Sequence, residues 1–199
     1  MPRKSSTASF YNSITFIYPL INVFLRKGKK SLIQEINSLP PGKLLEIGVG
    51  TGDQLQLYRN HQITAIDISN EMLARANKHA GKDITLLEMD GEHLLFRDQS
   101  FDYVVLSHVI TVVKDQRKLF LEIDRVITVG GKILILNHFS PNNYLGHLDL
   151  MFNSFSKTLH FKSFFRVDDI SLNERFKLIK HKDVGLFSYF KILVYEKVY

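Results

Sequence analysis

The sequence contains no cysteine among its 199 residues. This absence excludes disulfide bonds, a thiolate nucleophile and any cysteine-based metal centre, and it fits a protein of the reducing cytosol. The eight histidines are scattered singly along the chain, without acidic neighbours at the spacing of metal ligands, so we expect no metal site. Internal repeats and low-complexity tracts are also missing. A chain of this length is expected to form one domain with a sizeable core.

Long hydrophobic runs are missing too. The apolar run Ile14–Leu25 covers 12 residues, contains Pro19 and is well short of the roughly 20 that a membrane-spanning helix needs. No small-residue cleavage site precedes the basic stretch Arg26–Lys30. We therefore expect neither a membrane span nor a secretory signal.

Acidic residues do not occur before Glu35. Residues 1–30 carry six basic residues and the other 169 residues carry 20 basic against 20 acidic ones, so the whole net charge of +6 lies in an N-terminal arm. The six are Arg3, Lys4, Arg26, Lys27, Lys29 and Lys30. Apolar residues at spacings of three and four between these clusters predict an amphipathic helix, which Pro19 is expected to split into two short ones. They are Phe10, Ile14, Ile17, Tyr18, Ile21, Phe24 and Leu25.

Two roles remain open for this arm, residues 1–39, which Pro40-Pro41-Gly42 separates from the first predicted strand. The arm caps the following domain, or it lies on an anionic bilayer as an amphipathic element. The two roles are compatible, because a helical lid can turn its basic rim toward lipid.

The most specific motif is Leu44-Leu45-Glu46-Ile47-Gly48-Val49-Gly50-Thr51-Gly52-Asp53, an apolar strand that runs into three glycines. Glycine is needed where the backbone is left-handed and where its N–H groups approach a ligand closely, so the motif predicts a nucleotide-cofactor loop. A dinucleotide fingerprint would require glycine at position 53, where this chain has Asp53. The spacing therefore disfavours an NAD-dependent oxidoreductase.

The following segments repeat a strand-then-helix pattern. Ile63–Ile68 is a β-branched strand that contains Asp67, 19 positions after Gly48, and a helix is predicted over Ser69–Ala76. A carboxylate at that strand end can accept both hydroxyls of a ribose. A third strand, Ile84–Met89, runs into Asp90-Gly91-Glu92. Further strands are predicted at Phe101–Ser107 and Gly130–Leu136, and their apolar runs are typical of a parallel sheet buried on both faces.

The last third of the chain contains one insertion. Asn137-His138-Phe139 leaves the fifth strand, and apolar residues at helical spacing over 144–159 predict an amphipathic helix inserted at about 141–165. This helix lies above the carboxyl ends of the strands, so it either lines a substrate pocket or packs on the core. Phe176–His181 and Phe187–Val198 then form a closing hairpin, with Asp183-Val184-Gly185 in its turn.

These motifs together resemble the class I S-adenosylmethionine (SAM) methyltransferases. Tyr11 and Tyr18 before the first strand, Glu46–Gly52, Ile66–Leu73, Asn137-His138-Phe139 and Gly185-Leu186-Phe187 are similar to the bacterial phosphatidylethanolamine N-methyltransferases of the Rhodobacter type, relatives of the quinone C-methyltransferases. The resemblance implies an α/β fold with a Rossmann-like, doubly wound seven-stranded sheet at residues 40–199, under an N-terminal helical lid. It also implies a cytoplasmic enzyme, peripheral at the inner membrane, that methylates an ethanolamine headgroup.

The resemblance carries the SAM contacts onto named positions. The cofactor-binding residues it implies are Glu46, Gly48, Gly50, Gly52, Asp67, Ile68, Met72, Asp90, Gly91 and Ser107. Methyl transfer to an amine needs an aligned nucleophile and a group that takes a proton near neutral pH. Tyr11, Tyr18, His108 and His138 are the candidates for catalysis, and His138 is favoured because it lies in the Asn-His-Phe segment.

Rival functions stay open to different degrees. A base N-methylating enzyme would carry an Asn/Asp/Ser-Pro-Pro-aromatic motif after the fourth strand, where this chain has Ser107-His108-Val109-Ile110, so we expect no nucleic-acid partner. A SAM-fold membrane adaptor would bind lipid without turnover. Methylation of a quinone or another small amphiphilic acceptor is the main alternative. The expected partners are an anionic membrane surface and a lipid substrate, and the expected state is a monomer.

Overall fold

The computed structural model describes residues 18–138, 170, 172–184 and 190–199, with side chains from Arg26 onward. These residues form the helices α1 (Tyr18–Asn37), α2 (Asn70–Ala76) and α3 (Gln116–Val126), and a 3₁₀ turn at Leu55–Leu57. The strands are β1 (Gly42–Ile47), β2 (His61–Asp67), β3 (Ile84–Glu88), β4 (Phe101–Ser107), β5 (Ile127–His138), β6 (Phe176–Val184) and β7 (Phe190–Lys197).

All seven described strands belong to one sheet in the order β3-β2-β1-β4-β5-β7-β6. The first five pair in parallel, and β7 pairs antiparallel with both β5 and β6. The strand order reverses between β1 and β4, and open α/β sheets bind their ligands at the carboxyl ends of strands at such a point. The predicted Rossmann-like, seven-stranded fold is confirmed.

Alternation along each strand builds a core on both faces of the sheet. Leu45 and Ile47 of β1 face the core that includes α3, whereas Leu44 faces the core that includes α1. Leu32 and Ile36 anchor α1 there and are fully buried. Burying each such side chain stabilises the fold by about 1.5–3 kcal/mol, so these two fix α1 against the sheet.

Helix α1 bears on one expectation for the arm. It runs from Tyr18 to Asn37, with Pro19 as its second residue, and the residues before Tyr18 lie outside the described part of the chain, so the division of the arm at Pro19 stays a prediction. Proline is tolerated there because the first turn has no intrahelical partner for its missing N–H. The basic stretch Arg26–Lys30 therefore lies within α1, where Gly28 approaches Leu136 of the sheet.

The predicted strands are found with shifted ends. Strand β5 begins at Ile127 rather than Gly130, because Ile127 already pairs with Phe101 of β4. Asp183 and Val184 belong to β6 and pair with Lys191 and Phe190, so they do not lie in the hairpin turn. The predicted insertion at 141–165 lies outside the described residues, as do Tyr11 and Gly185. Among the helices that the structure describes, none is long and apolar enough to cross a membrane.

Candidate active site

Three backbone hydrogen bonds align the carboxyl ends of neighbouring strands at one edge of the sheet. The Gly48 amide donates to Ile66 O at 2.8 Å, the Met89 amide to Asp67 O at 3.0 Å, and the His108 amide to Leu136 O at 2.8 Å. The segments after β1, β2, β3 and β4 are therefore neighbours. The sequence-predicted residues of the glycine loop, Ile68, Asp90, Gly91 and Ser107 lie on this edge.

Asp67 holds the glycine loop directly. Its Oδ2 accepts a hydrogen bond from the Gly50 amide at 2.8 Å, and its Oδ1 accepts one from the Ser69 amide at 3.0 Å. Gly50 has a φ of +56°, and a Cβ added there would meet no atom within 4 Å. The loop thus faces open space at Gly50, beside a carboxylate, which fits the ribose and methionine portions of SAM.

Apolar and acidic groups stand beside this loop. Ile68 follows Asp67 with 66% of its surface exposed, and Met72 is half-buried on α2. Ser69 fixes the start of α2, because its Oγ accepts a hydrogen bond from the Met72 amide at 3.3 Å. Asp90 Oδ1 accepts one from the Glu92 amide at 2.9 Å. An exposed aliphatic side chain near an acidic acceptor suits the face and the amino group of adenine.

Glu46 lies apart from these residues, on the α1 side of β1, and is 1% exposed. Its carboxylate accepts hydrogen bonds from Tyr58 OH at 2.9 Å and from Gln54 Nε2. Burial raises the pKa of Glu46 to about 7. Its SAM contact stays a prediction. The two partners were missed in the sequence, since neither belongs to a motif or a periodic pattern.

Two buried polar atoms at the end of β4 lack a partner among the described residues. Ser107 Oγ and His108 Nε2 are both inaccessible and make no hydrogen bond among the described residues. His108 has a φ of +61°, in the left-handed region that few non-glycine residues adopt. Such orphaned atoms and backbone conformations concentrate at ligand sites, so this loop fits the acceptor side of a SAM pocket.

Phe190, at the start of β7, brings the two candidate histidines together. Its ring lies edge-on to His108 and His138, with centroids 5.8 and 6.0 Å apart. Burial lowers the pKa of His108 to about 4, helped by the nearby Lys29 ammonium and by His138. His108 is therefore neutral at pH 7. Phe190 was not predicted as a site residue, since its place depends on antiparallel pairing with His138.

Lys29 of α1 is a further residue that the sequence did not assign to the site. Its side chain is half-buried, whereas its neighbours Arg26, Lys27 and Lys30 are exposed. Its positive charge lowers the pKa of both Glu46 and His108, so the ammonium lies near both. Within the described residues no hydrogen bond or ion pair neutralises Lys29. It is an available cation beside the orphaned Ser107 and His108 atoms.

Tyr18 is the first residue of α1, but its side chain lies outside the description, as does the whole of Tyr11. The lid contacts of both tyrosines stay predictions. Among the described residues no cluster of three or more His, Cys, Asp or Glu side chains is arranged to hold a metal ion.

Comparisons with known proteins agree with this geometry. The family described as "Methyltransferase domain" matches residues 45–135, from β1 to β5. The chain is 33% identical over 160 residues to the phosphatidylethanolamine N-methyltransferase of Cereibacter sphaeroides, covering 75% of this chain and 79% of that protein. The chain belongs to the class I SAM-dependent methyltransferases. It is thus an enzyme of this class, and SAM is its cofactor.

Its similarity extends to methyltransferases of other substrates. The demethylmenaquinone methyltransferase of Thermotoga maritima is 30% identical over 148 residues, which cover 70% of this chain but only 64% of that relative. A solved methyltransferase of Thermotoga maritima, titled a possible histamine N-methyltransferase, superimposes with a TM-score of 0.66 at 22% identity, over 94% of this chain and 98% of that one. The N-methyltransferase NodS of Bradyrhizobium japonicum superimposes with a TM-score of 0.69 at 15% identity, over 88% of this chain and 97% of that one. At these identities the solved structures establish the fold.

Proposed function

We propose that this enzyme methylates the amine of phosphatidylethanolamine, or of its monomethyl and dimethyl forms. The observation that carries the proposal is the proximity of the Lys29 ammonium to Ser107 Oγ and His108 Nε2. None of these three groups has an ion-pair or hydrogen-bond partner in the described part of the chain. An ethanolamine headgroup offers an amine beside a phosphate. The amine suits the uncharged polar atoms, and the phosphate suits the ammonium.

Bound SAM would supply a methyl group already activated by its sulfonium, so that the methyl–sulfur bond would break as the amine nitrogen takes the methyl group and the neutral thioether leaves. The chain must therefore position the amine and accept its proton. At pH 7 the neutral imidazole of His108, in the tautomer protonated on Nδ1, presents Nε2 as an acceptor for an amine N–H. The neutral imidazole of His108 is a weak base, because the pKa of its protonated form is about 4. His108 is therefore proposed to orient the amine. His138, across Phe190, is the proposed proton acceptor.

Quinone methylation is the second candidate function. It is supported by the 30% identity to the demethylmenaquinone methyltransferase. A demethylquinol brings hydroxyl groups and an aromatic ring but no phosphate, so it would offer Lys29 no anionic group to bind. The two candidates therefore differ in what they require of Lys29.

Product identification tests the proposal. Purified enzyme is incubated with SAM and, separately, with phosphatidylethanolamine, demethylmenaquinone and total lipid, and the products are identified by mass. We expect a gain of one to three methyl groups on phosphatidylethanolamine. Methylation of the quinone alone would replace the proposed substrate by the second candidate.

A matched pair of variants tests the role of Lys29. Lys29→Gln should raise the KM for phosphatidylethanolamine about tenfold, the scale of one charge-assisted hydrogen bond. Lys30→Gln removes the same charge from the exposed neighbour and should leave the KM for a soluble short-chain phosphatidylethanolamine unchanged. Equal effects of the two substitutions would contradict a direct contact between Lys29 and the headgroup.

We also infer that the enzyme works as a peripheral protein on the cytoplasmic face of an anionic membrane. The exposed side chains of Arg26, Lys27 and Lys30 on α1 support this inference. Basic side chains near such a surface are attracted by about 1 kcal/mol each. The acyl chains of the proposed substrate require the enzyme to meet the bilayer.

A further inference from the structure

Strand β6 places three lysines on one face, next to α1. Lys177, Lys180 and Lys182 pair across the ladder with Glu196, Val194 and Ile192 of β7. A register shift between Leu178 and Lys180 keeps these lysines in phase, since strict alternation would put Lys177 opposite to the other two. Val194 and Ile192 belong to the core under α1, so the three lysines share that side of the sheet.

Two side-chain contacts join this face to the helix. Lys180 Nζ donates to Glu35 Oε1 at 2.7 Å, and Lys182 Nζ donates to Ser31 Oγ at 2.7 Å. Glu35 and Ser31 are one helical turn apart, and the same stripe of α1 continues to Lys27. The exposed cations Lys177, Lys180 and Lys182 on β6 and Arg26, Lys27 and Lys30 on α1 thus form one surface, here called the α1–β6 basic surface.

Very little acid neutralises this surface. Glu35 is paired with Lys180, and Glu196 is paired with Lys132 at 3.0 Å. Asp183 alternates to the other face of β6, where Lys191 is its partner. Five cations of the surface, all except Lys180, therefore make no ion pair within the described parts of the chain.

The surface lies beside the acceptor side of the active site. Lys182 pairs with Ile192, which pairs with Leu136, and Leu136 pairs with Ser107. One row across the sheet therefore joins Lys182 to the residue before His108. The next row whose side chains point to the same face contains His138, Phe190 and Val184. A flat anionic layer on the basic surface would present its headgroups at this edge.

We propose that β6 and α1 together form the docking surface for an anionic lipid bilayer. The proposal rests on the proposed function, which supplies the reason for a lipid beside this edge. Charge complementarity selects an anionic partner.

Vesicle binding by two double variants tests this surface. Lys177→Gln/Lys182→Gln removes two charges and leaves the Lys180–Glu35 ion pair in place. Lys78→Gln/Lys82→Gln removes two exposed charges between α2 and β3, far from the surface, and is the matched control. Both variants are checked for wild-type thermal unfolding. Binding is measured by sedimentation with phosphatidylcholine vesicles with and without phosphatidylglycerol, and by titration with a DNA duplex.

We expect the β6 variant to bind phosphatidylglycerol vesicles about 25-fold more weakly than the wild type, with the difference fading at high salt. The control variant should bind as the wild type does. Equal losses in the two variants would reveal an effect of bulk charge and would overturn the proposal, as would unchanged vesicle binding or a selective loss on DNA. Because binding is measured without turnover, a specific loss on vesicles supports the docking surface even if phosphatidylethanolamine is not the substrate.

Discussion

At the scale of single residues, positions 50 and 52 require glycine for different reasons. A Cβ at Gly52 would lie 2.7 Å from the Cα of Ala76 on α2, whereas a Cβ at Gly50 would meet no atom within 4 Å. Both residues have a positive φ. Packing therefore requires glycine at position 52. At position 50 the backbone conformation favours glycine, and the expected approach of the cofactor is a second reason for it.

The first prediction compares alanine at these two positions. Gly50→Ala should cost about 1–2 kcal/mol of stability from its left-handed φ and weaken SAM binding at least tenfold, since the methyl group faces the proposed cofactor. Gly52→Ala should lose more stability, because the backbone at Ala76 must move to make room for the added methyl group. Thermal unfolding without SAM and calorimetric titration with SAM separate the two effects. Wild-type SAM affinity in Gly50→Ala would contradict the placement of the cofactor over this loop.

A second residue-scale prediction concerns the buried carboxyl of Glu46. Its pKa is about 7 in the fold against 4.5 when unburied, so the folded state holds a proton that the unfolded state releases. Stability from this group is therefore fully present below pH 4.5 and is lost as the pH rises through 7. Glu46→Gln should remove this loss, about 3 kcal/mol. Urea unfolding of both proteins from pH 4.5 to 8 measures the difference, in which other titrating groups cancel. Parallel curves would show that Glu46 ionises normally.

At the scale of secondary structure, Glu92 joins the loop after β3 to the loop after β4. Its Oε1 accepts hydrogen bonds from the Lys114 and Asp115 amides at 2.8 and 2.9 Å, and its own amide donates to Asp90 Oδ1. Asp115 in turn caps α3 by accepting from the Arg117 and Lys118 amides. Glu92 thus fixes the loop after β3, where Asp90 is proposed to bind adenine, relative to the loop after β4, which contains His108.

The third prediction follows from these contacts. Glu92→Ala leaves two amides without their acceptor and should cost about 1–3 kcal/mol of stability. SAM binding should also weaken, because the loop that contains Asp90 is no longer joined to the loop after β4 by this side chain. Glu92→Gln keeps an acceptor oxygen and should restore most of both. Denaturant unfolding and SAM titration on the two variants provide the comparison. An alanine variant indistinguishable from the glutamine variant would show that the two loops are held independently.

What the sequence predicts about these elements depends on how local each signal is. The glycine loop, the strand end at Asp67 and the start of α2, predicted at Ser69 and found at Asn70, are read from consecutive residues, so their positions agree closely with the structure. The start of β5 was placed at Gly130, three residues too late. In the structure three residues of β4, Phe101 to Tyr103, face six residues of β5, Ile127 to Lys132, and this irregularity accommodates the glycines within the strand. No local signal predicts the irregularity, because it depends on the pairing with β4.

The contacts around the site could not be predicted from the sequence, because they join segments that are far apart in the chain. Lys29 is 17 positions from Glu46. It is half-buried while Lys30 is exposed because α1 packs on the sheet, where Gly28 approaches Leu136. Phe190 reaches His138 through strand pairing across more than 50 residues. No spacing rule relates such positions, so their place in the site follows from the topology of the sheet.

At the scale of the whole molecule, the distribution of charge differs between the chain and the fold. Along the chain the arm holds all the net charge, since the other 169 residues balance. In the fold three lysines of β6 join the cations of α1, and their balancing acids lie elsewhere or are already paired. The basic surface is therefore broader than the arm, and Lys29 is not part of it.

The last prediction separates the outward cations of α1 from the inward one. Replacing Arg26, Lys27 and Lys30 with Gln should weaken binding to phosphatidylglycerol vesicles by about 3 kcal/mol, at about 1 kcal/mol for each charge near the surface. Lys29→Gln removes a charge from the same helix but should leave vesicle binding close to that of the wild type, because its side chain is half-buried toward His108 and Glu46.

Sedimentation with phosphatidylglycerol vesicles at several salt concentrations makes this comparison. The triple variant should show a shallower dependence on salt than either the wild type or Lys29→Gln, because fewer charges near the surface remain to be screened. If Lys29→Gln loses as much binding as each outward substitution made singly, the inward direction of Lys29 is contradicted, and its proposed contact with the headgroup phosphate loses its structural basis.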